Sequence, residues 1–194
     1  MKRAVWLKKK SAASKLALPI RKWRPMTMMP APVASRVAIV ARATVAISAE
    51  VAARRLRRAL VIHDRDSHDD VIRVLLDELG GAGLPDVVVF HCFSGDEPMA
   101  WIAAEHGWYV SFAGTVTFTN ARDLHAAAPV VPRDRILVET DAPFLTPTPH
   151  RGRINASYLV PLTVRQLAEL RGEDLATLCD DLHANTLRAF GDWA

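Results

Sequence analysis

The chain has 194 residues, half of them apolar, which is enough for one compact domain with a substantial core. Its two cysteines, Cys92 and Cys179, are too few for a disulfide framework, which excludes the small disulfide-stabilised secreted classes. The net charge of +4 conceals an asymmetry, because residues 1–60 carry a net charge of +14 with Glu50 as the only acid, whereas the remainder carries −10.

The N-terminal segment, residues 1–49, is basic and rich in Pro, and no uncharged run in it is long enough to span a membrane. It has some features of a secretory signal, an organellar transit peptide or a basic arm that binds nucleic acid. We favour a fourth interpretation, in which a G+C-rich gene is read from a wrong start or frame. We therefore expect residues 1–49 to be disordered or non-native and residues 50–194 to form the folded domain, in the cytoplasm because its thiols are free.

From about residue 59 onward, short β-branched or aromatic runs alternate with amphipathic stretches, a pattern typical of consecutive βα units and a parallel sheet. The predicted strands are 59–63, 87–91, 108–112 and 136–140. The predicted helices are 67–79, 98–106, 121–127, 157–171 and 173–187. Ser67 is the expected N-cap of the first helix, and Gly80 and Gly81 are expected to end it.

Three of the predicted strands end in polar residues that bind metals. His63, His91 and Asp141 lie at these ends, and in a parallel sheet the carboxyl ends of the strands meet at one edge. Imidazole and carboxylate together suit a divalent ion such as Zn²⁺ or Mn²⁺, and an incomplete protein shell leaves room for an activated water. A lone His at a strand end is more often structural, but three such residues on separate strands indicate a site.

Four segments, VIHDRD, HCFSG, ETDAPFLTP and PHRGRIN, occur in an order and spacing that resembles the TatD-type deoxyribonucleases. The resemblance covers about residues 50–191. It implies an α/β fold, a partial TIM-type (β/α) barrel of the metal-dependent hydrolase kind that comprises roughly its last four βα units. It also implies hydrolysis of phosphodiester bonds in DNA by a water activated by divalent metal ions (Mg²⁺, Mn²⁺ or Zn²⁺).

The same resemblance assigns roles to individual residues. It implies that His63 and His91 ligate a second metal, while Asp141 ligates the first and accepts a proton from the attacking water. His150 and Arg151 are the expected contacts to a phosphate of the DNA substrate. The planar guanidinium of Arg151 suits this contact because it can pair with two phosphate oxygens.

The chain departs from the family pattern at its N-terminal side. The family's HxH pair and its GExGLD motif are both absent from this sequence, so that part of the metal site lacks its ligands. We expect impaired activity and a half barrel whose open edges a homodimer would cover. Two alternatives stay open: a related amidohydrolase that opens a lactone or an amide, and an inactive remnant that binds nucleic acid or serves as an interaction module.

Overall fold

The computed structural model describes residues 52–78 and 84–191, without the side chains of residues 77 and 78. The predicted disordered or non-native segment, residues 1–49, lies outside the described residues. So do Gly80 and Gly81, where we expected the first helix to end.

Four parallel strands form one sheet in the order β1-β2-β3-β4, as predicted from the alternating pattern. The strands are β1 Leu60–His63, β2 Val88–His91, β3 Tyr109–Phe112 and β4 Ile136–Val138. Because strand order follows chain order, the carboxyl ends of neighbouring strands lie side by side at one edge of the sheet. That edge is the candidate site.

The strands are shorter than predicted, for identifiable reasons. The backbone N–H of Trp108 donates to Ala103 of the preceding helix, so Trp108 lies before β3. The predicted last strand extended to residue 140, but β4 ends at Val138. The N–H of Glu139 still donates to Phe112, and the left-handed φ of 55° at Asp141 then turns the chain away from the sheet.

The helices follow the predicted amphipathic stretches with shifted ends. They are α1 His68–Arg73, α2 Glu97–Glu105, α3 Arg122–Ala127, α4 Val160–Arg171 and α5 Leu175–Phe190. A π-helical turn, Val74–Glu78, continues α1, and 3-10 turns occur at Gly114–Thr117 and Ser157–Leu159.

The residues at the helix starts agree in part with the prediction. Ser67 is at the N-cap position of α1 as predicted, but its hydroxyl donates to the carbonyl of Arg65 instead of accepting from the helix. Asp174 accepts from the N–H of Thr177, so α5 begins after it rather than at residue 173. The side chain of Asp96 caps α2 in the same way.

The core has two layers, one on each face of the sheet. All five helices pack on the face that presents Ile62, Phe90 and Phe112. The other face presents the alternate residues of the strands and is buried against the end of α5; it comprises Val61, Val89, Tyr109, Leu137 and Ala189. Apart from the end of α5, the helices lie on one face of the sheet, as in a segment of a barrel, whereas a doubly wound sheet carries helices on both faces.

The edge strands β1 and β4 each pair with one other strand among the described residues, β1 with β2 and β4 with β3. Asn185 ties α5 to the start of β4, because its amide nitrogen donates to the carbonyls of Arg133 and Ile136, 2.8 Å away in both cases. Within residues 52–78 and 84–191, no helix has the length and apolarity that crossing a membrane requires.

Candidate metal centre

Two histidines lie side by side where β1 and β2 end. His63 and His91 are register partners in the parallel ladder, and their ring centroids are 5.7 Å apart with planes tilted by 37°. The pairing follows directly from the sequence, because each histidine is the last residue of its strand. The structure therefore places these two predicted ligands next to each other.

Two carboxylates reach His91 from the end of β4. Glu139 Oε1 lies 2.6 Å from His91 Nδ1, and Asp141 Oδ1 lies 3.6 Å from His91 Nε2. One ligand atom from each of these three residues falls within 4.8 Å of the other two. We call His91, Glu139 and Asp141 the acidic cluster. His63 lies beside it, in contact with the His91 ring.

The acidic cluster fits a divalent cation. Glu139 Oε1 is buried and lies 2.6 Å from His91 Nδ1, but this contact lacks hydrogen-bond geometry, and the oxygen has no other hydrogen-bond partner among the described residues. A buried carboxylate oxygen without a donor is costly, and a cation would offset that cost. One imidazole and two carboxylates are donors that zinc, manganese and similar ions accept.

The backbone at both strand ends is strained. Cys92, directly after His91, has a φ of 48°, and Asp141 has a φ of 55°. Residues other than glycine rarely adopt left-handed conformations, and such residues concentrate at functional sites. The turn at Asp141 is held by the N–H of Phe144, which donates to the Asp141 carbonyl at 2.9 Å.

The sequence profile of the TatD-related DNases matches residues 43–191, about three quarters of the chain. The chain belongs to the TatD family. It is 46% identical over 142 residues to the uncharacterized metal-dependent hydrolase TatD of Mycobacterium tuberculosis, an alignment that covers 72% of this chain and 51% of the relative. It is 37% identical over 146 residues to the 3'-5' ssDNA/RNA exonuclease TatD of Cronobacter sakazakii, covering 71% and 53%.

A solved TatD homologue from Escherichia coli superposes with a TM-score of 0.66 at 27% identity, over 72% of this chain and 52% of the homologue. This confirms the predicted fold class, an α/β chain that forms part of a TIM-type barrel. The chain spans about half the length of the curated relatives that it matches.

The remaining site residues predicted from the sequence lie in the loop that follows Asp141. Arg151 is exposed and places its guanidinium carbon 4.0 Å from the centre of the Phe118 ring. His150 is half-buried in a tight turn, in which its N–H donates to Pro147 and its carbonyl accepts from Arg153. Neither residue is part of the acidic cluster.

The sequence of this TatD-family chain did not lead us to Glu139 as a candidate ligand. Glu139 and Asp141 are two residues apart at the end of a strand, and this spacing places both side chains on the same side of an extended chain. The alternation was readable in the segment ETDAP and would have indicated a pair of carboxylates. Only the three-dimensional contact with His91 shows that Glu139 is the closer of the two.

Sequence reasoning also missed a set of contacts that ties the strand-end loops together. The Ser94 hydroxyl, in the loop after β2, donates to the backbone carbonyl of Asp64 at 2.8 Å, in the loop after β1. The buried Asp64 carboxylate in turn lies 2.5 Å from His68 Nδ1 on α1. These contacts hold the loops that follow His63 and His91 at a fixed separation.

Cys92 is half-buried beside two carboxylates, which makes it a poor nucleophile. The pKa of its thiol is raised to about 12, first by burial and then by the negative charges of Glu139 and Asp141. Thiolate, not thiol, binds metals and attacks electrophiles. Without a bound cation, Cys92 therefore stays protonated beside the acidic cluster, and imidazole and carboxylate are the candidate metal donors.

Proposed function

We propose that this TatD-family chain is a metal-dependent hydrolase that cleaves phosphodiester bonds in DNA, with reduced activity because the family's HxH and GExGLD motifs are absent from it. The acidic cluster beside His63, at the carboxyl edge of the sheet, is the observation that carries this proposal. The name of the Cronobacter sakazakii relative supports a nucleic-acid substrate.

The roles of the residues differ with their exposure. The side chain of Glu139 is 18% exposed and that of Asp141 is 29% exposed, so Asp141 is the more accessible to a substrate and to water. We assign Asp141 as a ligand that also accepts the proton of the attacking water, while His63, His91 and Glu139 complete the metal-binding set. A divalent ion held there would polarise a phosphoryl oxygen and lower the pKa of water.

The phosphate of the substrate requires positive charge near the cluster. Arg151 follows Asp141 in the next loop and carries its guanidinium at the surface. We assign Arg151 and the neighbouring His150 to the substrate phosphate, since the planar fork of an arginine can pair with two phosphate oxygens.

A nuclease assay of the purified full chain tests the proposal. Single-stranded and duplex DNA are incubated with Mg²⁺ or Mn²⁺, or with EDTA, and the variant Asp141→Ala is compared with Asp180→Ala, an exposed acid on α5. We expect cleavage that EDTA abolishes, that Asp180→Ala leaves unchanged, and that Asp141→Ala lowers by about 10²–10⁴-fold. Cleavage that persists in EDTA or in Asp141→Ala, or no cleavage at all, overturns the proposal.

A second candidate function follows from the missing motifs. A chain that has lost those ligands can retain affinity for nucleic acid without cleaving it, and then acts as a binding or interaction module. Its expected signature is DNA binding that weakens with salt and survives Asp141→Ala in the absence of any cleavage.

Three further predictions accompany the proposed function. A homodimer would cover the open edges at β1 and β4, and sedimentation analysis would reveal it as twice the mass of the chain.

The division between residues 1–49 and 50–194 predicts that limited proteolysis removes the former and spares the latter. A cytoplasmic location remains the prediction from two unpaired cysteines.

A further inference from the structure

An open cleft of about 400 Å³ lies at the loop after β4, and its lining begins at Pro143, two residues after Asp141. Two aromatic residues and two arginines line it together with Pro143, Leu145, Thr146 and Gly152. We call it the aromatic cleft and define it by Phe118, Phe144, Arg151 and Arg153.

The ring of Phe144 is exposed, whereas its backbone is held by two hydrogen bonds. Its N–H donates to the carbonyl of Asp141, and its own carbonyl accepts from the side-chain amide of Asn155 at 2.7 Å. The turn that this forms keeps the Cα atoms of Asp141 and Phe144 within about 7 Å of each other. Nevertheless 68% of Phe144 is exposed. An apolar ring is thus presented to solvent at a fixed position one turn from the acidic cluster.

The second aromatic residue of the cleft is already stacked. The guanidinium carbon of Arg151 lies 4.0 Å from the centre of the Phe118 ring. Arginine planes and aromatic rings are the surfaces on which bases of single-stranded nucleic acids stack.

The charge of the cleft suits a phosphate-bearing ligand. Residues 61–194 contain 20 acids and 10 arginines, yet Arg151 and Arg153 are two residues apart at this one cleft. Positive charge next to flat apolar surfaces matches a nucleotide, whose base is flat and whose phosphate is anionic. A purely apolar ligand would place no anionic group near Arg151 and Arg153.

We propose that the aromatic cleft binds a nucleobase of a single-stranded nucleic acid whose phosphodiester lies at the acidic cluster. Phe144 provides the surface for the base, and Arg151, which lies over the Phe118 ring, and Arg153 face the phosphates. The inference rests on the proposed function, and what it adds is a surface for the base. The name of the Cronobacter sakazakii relative already gives single-stranded DNA and RNA as the substrates of that protein, and bases in a duplex are stacked on one another and cannot enter the cleft.

Binding measured without cleavage tests this inference. A short oligothymidylate that contains one 2-aminopurine near its 3' end is titrated with the full chain in EDTA, and the 2-aminopurine fluorescence and the anisotropy of a 5' dye are recorded. We expect quenching on binding, a loss of affinity of roughly tenfold in Phe144→Ala, and recovery in Phe144→Tyr, because each base–aromatic stack contributes substantially to affinity. A duplex of the same sequence should bind more weakly.

Trp101→Ala is the matched control. Trp101 is 51% exposed on α2 and is not part of the cleft, so removing it deletes an exposed aromatic ring without touching the proposed site. It should bind as the unmodified chain does. Unchanged binding by Phe144→Ala, equal losses in the two alanine variants, equal binding of duplex, or no binding by the unmodified chain overturns the inference.

The nuclease assay separates this inference from the proposed function. Binding that depends on Phe144, without any cleavage, would support the base-binding role of the aromatic cleft and contradict the proposed hydrolase activity. Metal-dependent cleavage, together with binding that does not depend on Phe144, would support the proposed hydrolase activity and contradict the base-binding role of the cleft.

Discussion

The side-chain nitrogen of Asn155 lies 2.7 Å from the carbonyl oxygen of Thr140, the residue immediately before Asp141. The same nitrogen donates to the carbonyl of Phe144 at 2.7 Å, and the Asn155 carbonyl oxygen accepts from the N–H of Ala156. One buried amide thus fixes both ends of the turn that carries Asp141 and presents Phe144.

Asn155→Ala should loosen this turn. It removes the donor for two carbonyls, and each buried polar group left unpaired costs about 1–3 kcal/mol, so the urea midpoint should fall. Binding of Mn²⁺, measured by calorimetry, should weaken as well, because Asp141 is no longer held. Asn185→Ala is the control, since Asn185 also donates to two carbonyls but at the start of β4. Equal Mn²⁺ affinity in the two variants would contradict this role for Asn155.

Glu139→Gln should separate metal binding from stability. The substitution keeps the shape of the side chain but removes the charge of a buried oxygen whose 2.6 Å contact with His91 Nδ1 lacks hydrogen-bond geometry. In EDTA, the Tm should therefore not fall. Added Mn²⁺ at about 100 times its Kd should stabilise the unmodified chain by about 2.7 kcal/mol, and the variant by much less.

Glu105→Gln is the control for that measurement, because Glu105 is an exposed acid at the end of α2. It should respond to Mn²⁺ as the unmodified chain does. A Glu139→Gln chain with a full Mn²⁺ response would remove Glu139 from the ligand set, and a large loss of Tm in EDTA would assign it a structural role.

Gly114→Ala should displace the loop that follows the acidic cluster. A Cβ at this position would lie 2.1 Å from the carbonyl oxygen of Leu145 and 2.9 Å from the nitrogen of Pro147, both of them backbone atoms. Forcing an atom into a packed position of this kind costs about 1–3 kcal/mol. We expect a lower urea midpoint together with weaker binding of the 2-aminopurine oligonucleotide, because Leu145 lines the aromatic cleft.

Gly172→Ala controls for the loss of stability alone. Gly172 ends α4 with a φ of 62°, and a Cβ there would meet nothing within 4 Å. Its expected cost is the roughly 1 kcal/mol of a left-handed residue, without an effect on oligonucleotide binding. A Gly114→Ala chain that loses no more oligonucleotide affinity than Gly172→Ala would show that the loop absorbs the added methyl group.

The sheet and three residues of the candidate site could be predicted from the sequence, because each of them depends only on neighbouring residues in the chain. His63 and His91 end apolar runs, and Asp141 follows a third, so strand-end logic is sufficient to bring them to one edge. Asn155 could not be found in this way, because its role depends on two carbonyls 11 and 15 residues away. The stacking of Arg151 on Phe118 is likewise set by two loops that meet only in the folded chain.

Thiol labelling should distinguish the two cysteines. Cys179 is exposed on α5, whereas burial and the charges of Glu139 and Asp141 raise the pKa of Cys92 to about 12. A raised thiol pKa favours the protonated form in the folded state, so between pH 9 and about 12 the unfolded chain ionises first and stability falls as the pH rises. At pH 8.5, a disulfide reagent such as DTNB should modify Cys179 rapidly and Cys92 only after unfolding. In Cys179→Ser, the native chain should therefore release almost no chromophore until denaturant is added, and rapid release would contradict the raised pKa of Cys92.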